Sequence, residues 1–241
     1  MSNESSINTV TPPATPVFVP ALPPLENGDH LHSHEFHRRY TAMPHIKKAE
    51  LVEGIVYMAS PVRVSVHGIQ HAAAITWLGL FRAYTPNTEL ADNATLRLDE
   101  DNEPQPDAAL FIDERCGGRS FITDDGYLSG APELLVEIAA STASYDLREK
   151  REMYQNSGVA EYLVWSVYDR RIDWFTLENG QYAPLLPDAG GILCSRVFPG
   201  LWLNAGALLQ NDLAHVISDL QQGLATPEHT AFVQHMTAAA N

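Results

Sequence analysis

Cysteine is almost missing from this chain: Cys116 and Cys194 are the only two, far apart and without metal-ligand spacing. That excludes a disulfide scaffold and a thiolate zinc site, and it suits a reducing compartment. Long apolar runs are missing as well. None approaches the ~20 residues that span a bilayer, and the first residues lack the basic-then-apolar order of a secretory signal. The expectation is a cytoplasmic protein with no membrane partner. Basic residues are scarce: 15 Lys and Arg face 30 Asp and Glu, a formal charge of −15. Such a balance argues against a broad electrostatic grip on phosphate backbones. It leaves room for a local basic strip, or for an acidic site whose charge falls once a cation is loaded. No internal repeat is visible.

What is present is material for one core. The 241 residues are 45% hydrophobic and 19% charged, enough for a packed domain and too apolar for global disorder. Residues 1–44, rich in Pro and Ser and then in His, carry no sustained period and read as a flexible tail. Residues 45–225 read as the domain, and 226–241 as a C-terminal tail able to add a loose helix. "KKAELVEGIVYMAS" suggests a polar, partly helical approach, a turn at Gly54 and a short strand over Ile55 to Ala59 that Pro61 ends. Apolar residues Val66, Ile69, Ala73, Trp77, Leu80 and Phe81 recur near a 3.6 period, predicting a core-facing helix of about 20 residues that Pro86 closes. Two strands, "ELADNATLRLDED" and "QPDAALFID", follow, then a long loop over 114–131. A strand over 133–140 leads into a helix with Ser144 as N-cap and Gly158 as stop. Three more strands, with a hairpin at Asn179-Gly180, precede a last helix over about 205–223. Alternating strands and helices point to an α/β domain with a mixed sheet flanked by helices.

Two carboxylates sit where a core strand should be. Glu137 interrupts "ELLVEIAA", where an unpaired charge costs several kcal/mol, and Asp107 opens "PDAALFI" directly after Pro106. On neighbouring strands they could point at one spot. Hard divalent cations take oxygen ligands and keep several waters, so one or two carboxylates plus a substrate phosphate suffice to hold one.

At these residues the chain resembles a known family. "ELVEGIVYMAS", "QPDAALF", "ELLVEIAAST" and "DLREKREMYQNSGVAEYLVW", spread over roughly residues 46–205, look like the ordered signature blocks of the Uma-two-type restriction endonucleases, a branch of the PD-(D/E)XK nuclease superfamily. The resemblance implies a restriction-endonuclease-like core, Mg²⁺ with Mn²⁺ as a substitute, hydrolysis of DNA phosphodiester bonds, and action as a homodimer. On matching positions it makes Asp107 and Glu137 cation ligands and Glu50 an acidic addition at the edge of the site. Position 139 is Ala where the superfamily carries Lys; the resemblance gives that place to Lys150 on the following helix, whose ammonium would steady developing negative charge.

Plainer readings stand beside these. Glu137 could pair with Arg or Lys at a sheet edge, Asp107 could cap a turn, and Glu50 could be a surface residue beside Glu53. Asp146 and Lys150, four apart, could form an exposed helical ion pair worth ~0.3–0.5 kcal/mol. His67 or His71 could approach the site from the first long helix but read first as solvated or hydrogen-bonded, Tyr154 and Tyr162 read as packing residues, and "HLHSHEFH" could offer imidazoles to a transition metal but reads first as plain tail. Two rival functions follow: an inactive nuclease-fold module that binds nucleic acid or protein, and an assembly module working through the 114–131 loop.

Overall fold

A computed structural model describes residues 22–58, 64–140 and 142–240. In chain order the elements are α1 (Ser33–Thr41), β1 (Ala49–Val52), β2 (Ile55–Met58), α2 (Ile69–Tyr84), β3 (Thr88–Asp92), β4 (Leu96–Arg97), β5 (Ala108–Ile112), β6 (Ser120–Ile122), β7 (Leu128–Gly130) and β8 (Leu134–Ala139). Then come α3 (Ala143–Tyr145), α4 (Arg151–Asn156), β9 (Glu161–Ser166), β10 (Arg171–Glu178), β11 (Gln181–Pro184), β12 (Ile192–Cys194), β13 (Trp202–Asn204), α5 (Ala205–Leu209), α6 (Leu213–Leu224) and α7 (Pro227–Ala239). Two π-helical turns interrupt the series, Val64–Gly68 running into α2 and Asp146–Lys150 joining α3 to α4.

The centre is a six-stranded sheet in the order β11-β10-β9-β8-β5-β3. Strands β8 and β9 are buried at every position, as central strands covered on both faces must be, and they pair in parallel across the α3–α4 crossover. The other ladders of this sheet are antiparallel. This is the mixed sheet flanked by helices expected above. Side chains alternate across it. Leu134, Val136 and Ile138 pack with Trp77 and Phe81 of α2 and with Val216 and Leu220 of α6, whereas Leu135 and Ala139 pack with Met153 and Tyr154 of α4. Register then decides the placement of the acids. The β5–β8 ladder pairs Ala108 with Val136 and Ala109 with Leu135, so one further step sets Asp107 across from Glu137 on the α4 face.

Several expectations need correction. Ordered chain begins before residue 45: α1 buries Phe36 against Leu25, Ala49, Leu51 and Val56, and Glu35 pairs with Arg38 and Arg39 at 2.7 Å. Residues 1–21 of the expected tail lie outside the described residues. The approach to Gly54 is strand β1, paired with β2 through a turn in which Glu53 and Gly54 take φ of 51° and 73°. Ala59 and Pro61 lie outside the described residues. In the phase expected for α2, Trp77 and Phe81 are buried, but Ile69 at the first turn is 46% exposed. The loop 114–131 holds the β6–β7 hairpin, which joins β4 in a second sheet. Thr142, not Ser144, stands at the N-cap of α3. The last long helix divides at Asn211, whose φ is 58°, and Asp212 caps α6 by accepting from the His215 N–H. Residues 227–239 are the packed helix α7, capped by Thr226, with His229 and Met236 buried.

Two helical glycines separate fit from propensity. Ala normally gains ~1 kcal/mol over Gly in a helix, and Gly79→Ala should follow that rule, because its new Cβ would meet only the Leu90 Cδ2 at 3.9 Å. Gly223→Ala should instead lose about 1–3 kcal/mol, since its Cβ would overlap the Gly200 carbonyl oxygen and lie 2.8 Å from the Trp202 ring. Urea unfolding of both variants measures this; a stabilised Gly223→Ala would mean that α6 does not press on the Gly200–Trp202 segment.

Candidate active site

Asp107, Glu137, Lys150 and Glu50 arrive from four elements and line one cleft of about 770 Å³. Lys150 ends the π-helical turn, and its Nζ donates at 2.8 Å to Oε1 of Glu137 and at 2.8 Å to Oε1 of Glu50. The same Glu50 oxygen accepts the Gln105 N–H at 2.7 Å, and Glu137 Oε1 accepts the Tyr154 hydroxyl at 3.2 Å. Asp107 Oδ2 accepts the Ile138 N–H at 2.7 Å, a bond that follows from its register beside β8. Each of the four side chains is buried. Glu50 is therefore no surface residue, and Lys150 is no exposed partner of Asp146: Asp146 is itself buried, with Oδ1 3.9 Å from the ammonium. A π-helical turn is uncommon and recurs at functional sites; both examples among the described residues border the cleft.

Other residues join them. Lys48 Nζ lies 3.6 Å from Asp107 Oδ1, and His67 Nε2 lies 3.2 Å from Asp107 Oδ2. His71 Nε2 approaches the Asp107 carbonyl oxygen at 3.0 Å and Asp92 Oδ1 at 3.1 Å. The two histidines are hydrogen-bonded, as expected, but to the site itself. Tyr154 packs and also donates to Glu137. Lys48 was legible: it precedes Glu50 by two, and strand alternation puts such residues on one face. Asp146 had no comparable signal, because helix packing brings it in, whereas the histidines take the approach to the site that their place at the start of the long helix allowed.

The electrostatics are lopsided. Four acids, Glu50, Asp107, Glu137 and Asp146, face the two ammoniums of Lys48 and Lys150. Burial drives the Glu137 carboxyl up to about 8, and the charges of Asp107 and Asp146 push the same way. Lys150 opposes this, yet it divides its charge between Glu50 and Glu137 and cannot neutralise both. Its own pKa is raised well above the ordinary lysine value: burial alone would lower it, but the surrounding carboxylates outweigh that. Burial also raises Asp146. Asp107 goes the other way: burial opposes its ionisation, but the His67 bond, the Lys48 charge and the Ile138 N–H together hold it down to about 2.

These shifts carry a sign. Unfolded Glu137 would ionise near 4.5 and the folded group near 8, so between those values the native state holds the extra proton and stability falls as pH rises. Asp107, with an ordinary value of 3.8, contributes stability that is present above that pH and lost as pH drops toward 2. Urea unfolding from pH 5 to 8 should show wild type losing a few kcal/mol relative to Glu137→Gln. Parallel curves for the two proteins would refute the assignment to Glu137.

Three comparisons with known proteins bear on the site. The sequence model of the Uma2 family, described as "Putative restriction endonuclease", matches residues 34–206. Comparison with curated proteins gives no match. Among solved structures the chain is similar to "a putative nuclease belonging to DUF820 from Anabaena variabilis", at 13% identity and a TM-score of 0.55, over 72% of this chain and 96% of that one. At that identity the likeness concerns the fold. Among the described residues no helix is long and apolar enough to cross a membrane.

Proposed function

The chain belongs to the Uma2 family of restriction-endonuclease-like proteins, and we propose that it is a Mg²⁺-dependent endodeoxyribonuclease with Asp107 and Glu137 as cation ligands, Lys150 as the electrostatic catalyst and Glu50 as its anchor. The observation that carries this reading is the β5–β8 register, which turns both acids toward one buried spot beside an ammonium.

The donor set fits a hard ion. Asp107 Oδ1 has only Lys48, at 3.6 Å, and Glu137 Oε2 accepts no hydrogen bond among the described residues, so two carboxylate oxygens are open to a metal. Four carboxyls beside two ammoniums leave an acidic surplus that a divalent cation would offset as it displaced the Glu137 proton. Among the described residues no three His, Cys, Asp or Glu side chains converge tightly enough to hold an ion alone, which suits Mg²⁺, a cation that keeps waters and shares substrate phosphate. Bound there, Mg²⁺ would polarise the phosphate and lower the pKa of a water.

The chain's own residues do the positioning. The Ile138 N–H and His67 fix the Asp107 carboxylate, while Tyr154 and Lys150 fix Glu137. Lys150 keeps its proton among the acids, so its part is to stabilise developing negative charge rather than to act as a base. Ala139, two residues beyond Glu137 on the same face, has no side chain to reach the site; the ammonium comes from the helix instead.

Isothermal calorimetry with Mn²⁺ tests the site, and plasmid nicking tests the chemistry. Wild type should bind Mn²⁺ and Asp107→Ala should bind at least ~10-fold more weakly; Glu137→Gln should cut nicking by ~10²–10³-fold while retaining native circular dichroism, and Lys150→Met should cut it as far but also lose ~3–5 kcal/mol in urea unfolding. Equal heats in wild type and Asp107→Ala, or equal nicking by Glu137→Gln, would sink the nuclease reading in favour of an inactive binding module.

A further inference from the structure

The substrate class is open to argument from the cleft wall that the chemistry does not use. Tyr168 lies in the turn between β9 and β10, just past the carboxyl end of β9, and lines the same cleft as Asp107 and Glu137. It is 60% exposed and makes no hydrogen bond or ring contact among the described residues. A large aromatic ring left bare at the edge of a polar cleft has no packing role to explain it. Its backbone is nonetheless fixed: Val167 N–H donates to the Ala139 carbonyl at 2.9 Å, tying the turn to β8, and Arg170 closes it with a bond to the Val167 carbonyl at 3.2 Å. Arg170 holds a left-handed φ of 50°, is exposed, and forms no ion pair among the described residues. One short turn therefore offers a free ring and a free guanidinium.

The remaining charge disfavours a duplex. Gripping double-stranded DNA needs several cations aimed at phosphates, but the two lysines lining this cleft among the described residues are engaged with carboxylates, and the whole chain carries −15. The two ligand acids are each only 3% exposed, at the floor of a cleft whose 770 Å³ suits a small segment. The bases of a stacked, paired duplex have no face free for a ring at the rim of that cleft. Those of an unpaired strand do, and stacking on an aromatic ring is tolerant of sequence and compatible with few phosphate contacts.

We propose that the preferred substrate is unpaired DNA, with a base next to the scissile phosphate stacked on Tyr168 and a neighbouring phosphate paired with Arg170. This rests on the nuclease reading for the identity of the ligand, but its test does not require cleavage. Fluorescence anisotropy of a labelled 12-nucleotide strand, with Ca²⁺ in place of Mn²⁺, should show binding at least 10-fold tighter than for the matching duplex. Tyr168→Ala should weaken single-strand binding by about 5- to 100-fold, Tyr168→Phe should stay within about 2-fold because the ring remains, and Arg170→Ala should flatten the salt dependence. Both positions are exposed, so the variants should fold. Mn²⁺ cleavage of the same oligonucleotides is the second arm. Duplex bound or cut as well as single strand, or Tyr168→Ala behaving as wild type, overturns this proposal and leaves the nuclease reading standing. Tight, Tyr168-dependent binding without cleavage upholds the proposal and sinks the catalytic reading. No binding of either DNA sinks both.

Discussion

One ammonium holds the site together. Lys150 is buried, and its Nζ bridges Glu50 and Glu137 at 2.8 Å each. An isolated charge at that depth would cost several kcal/mol, and so would either carboxylate without it, so each makes the others tolerable. The bond crosses the structure: Glu50 belongs to the β1–β2 hairpin, Glu137 to the central sheet, and Lys150 to the helical crossover. Removing the cation would leave two buried acids repelling each other at the junction of three elements. The pairing thus fixes how the hairpin sits over the sheet, and the hairpin in turn helps to wall the cleft.

That same arrangement explains why the acids remain unbalanced. A structural ion-pair network would match its charges, whereas here two ammoniums serve four carboxylates and Glu137 is left holding a proton near neutrality. Asp107, by contrast, is kept ionised against its burial by a histidine, a lysine 3.6 Å away and a backbone N–H. Two carboxyls facing one another across a strand pair are pushed in opposite directions by their surroundings, a pattern that accompanies function more often than scaffolding.

The legible part of the molecule was the part governed by short periods. The apolar runs at residues 134–139 and 161–166, the 3.6 repeat through Trp77 and Phe81, the Asn179-Gly180 hairpin and the Gly158 stop are local matters, and the elements formed accordingly. So was the oddity of Glu137 and Asp107 within apolar strands. What stayed hidden depended on tertiary contact. Helix α1 lies in a stretch of Ser and His with little period, and its stability comes from one buried ring, Phe36, against β1 and β2. The three-residue strands β6 and β7 are too short to show alternation and exist because they pair with each other and β7 also pairs with β4. Asp146 reaches the cleft from a π-helical turn, which breaks the period that sequence reading relies on.

The register that sets Asp107 opposite Glu137 has a consequence for how chains of this design can drift in length. The path from β5 to β8 runs out through a hairpin that bears on neither acid, so residues could be gained or lost there in any number while the two carboxylates stay abreast. Within β5 or β8 the arithmetic is different, because parity governs: removing a single residue from Ala108–Leu110 would turn the acid to the α2 face, among Trp77 and Leu134, with no ammonium to meet it. Variation in this architecture should therefore accumulate as loop length and be forbidden as strand length.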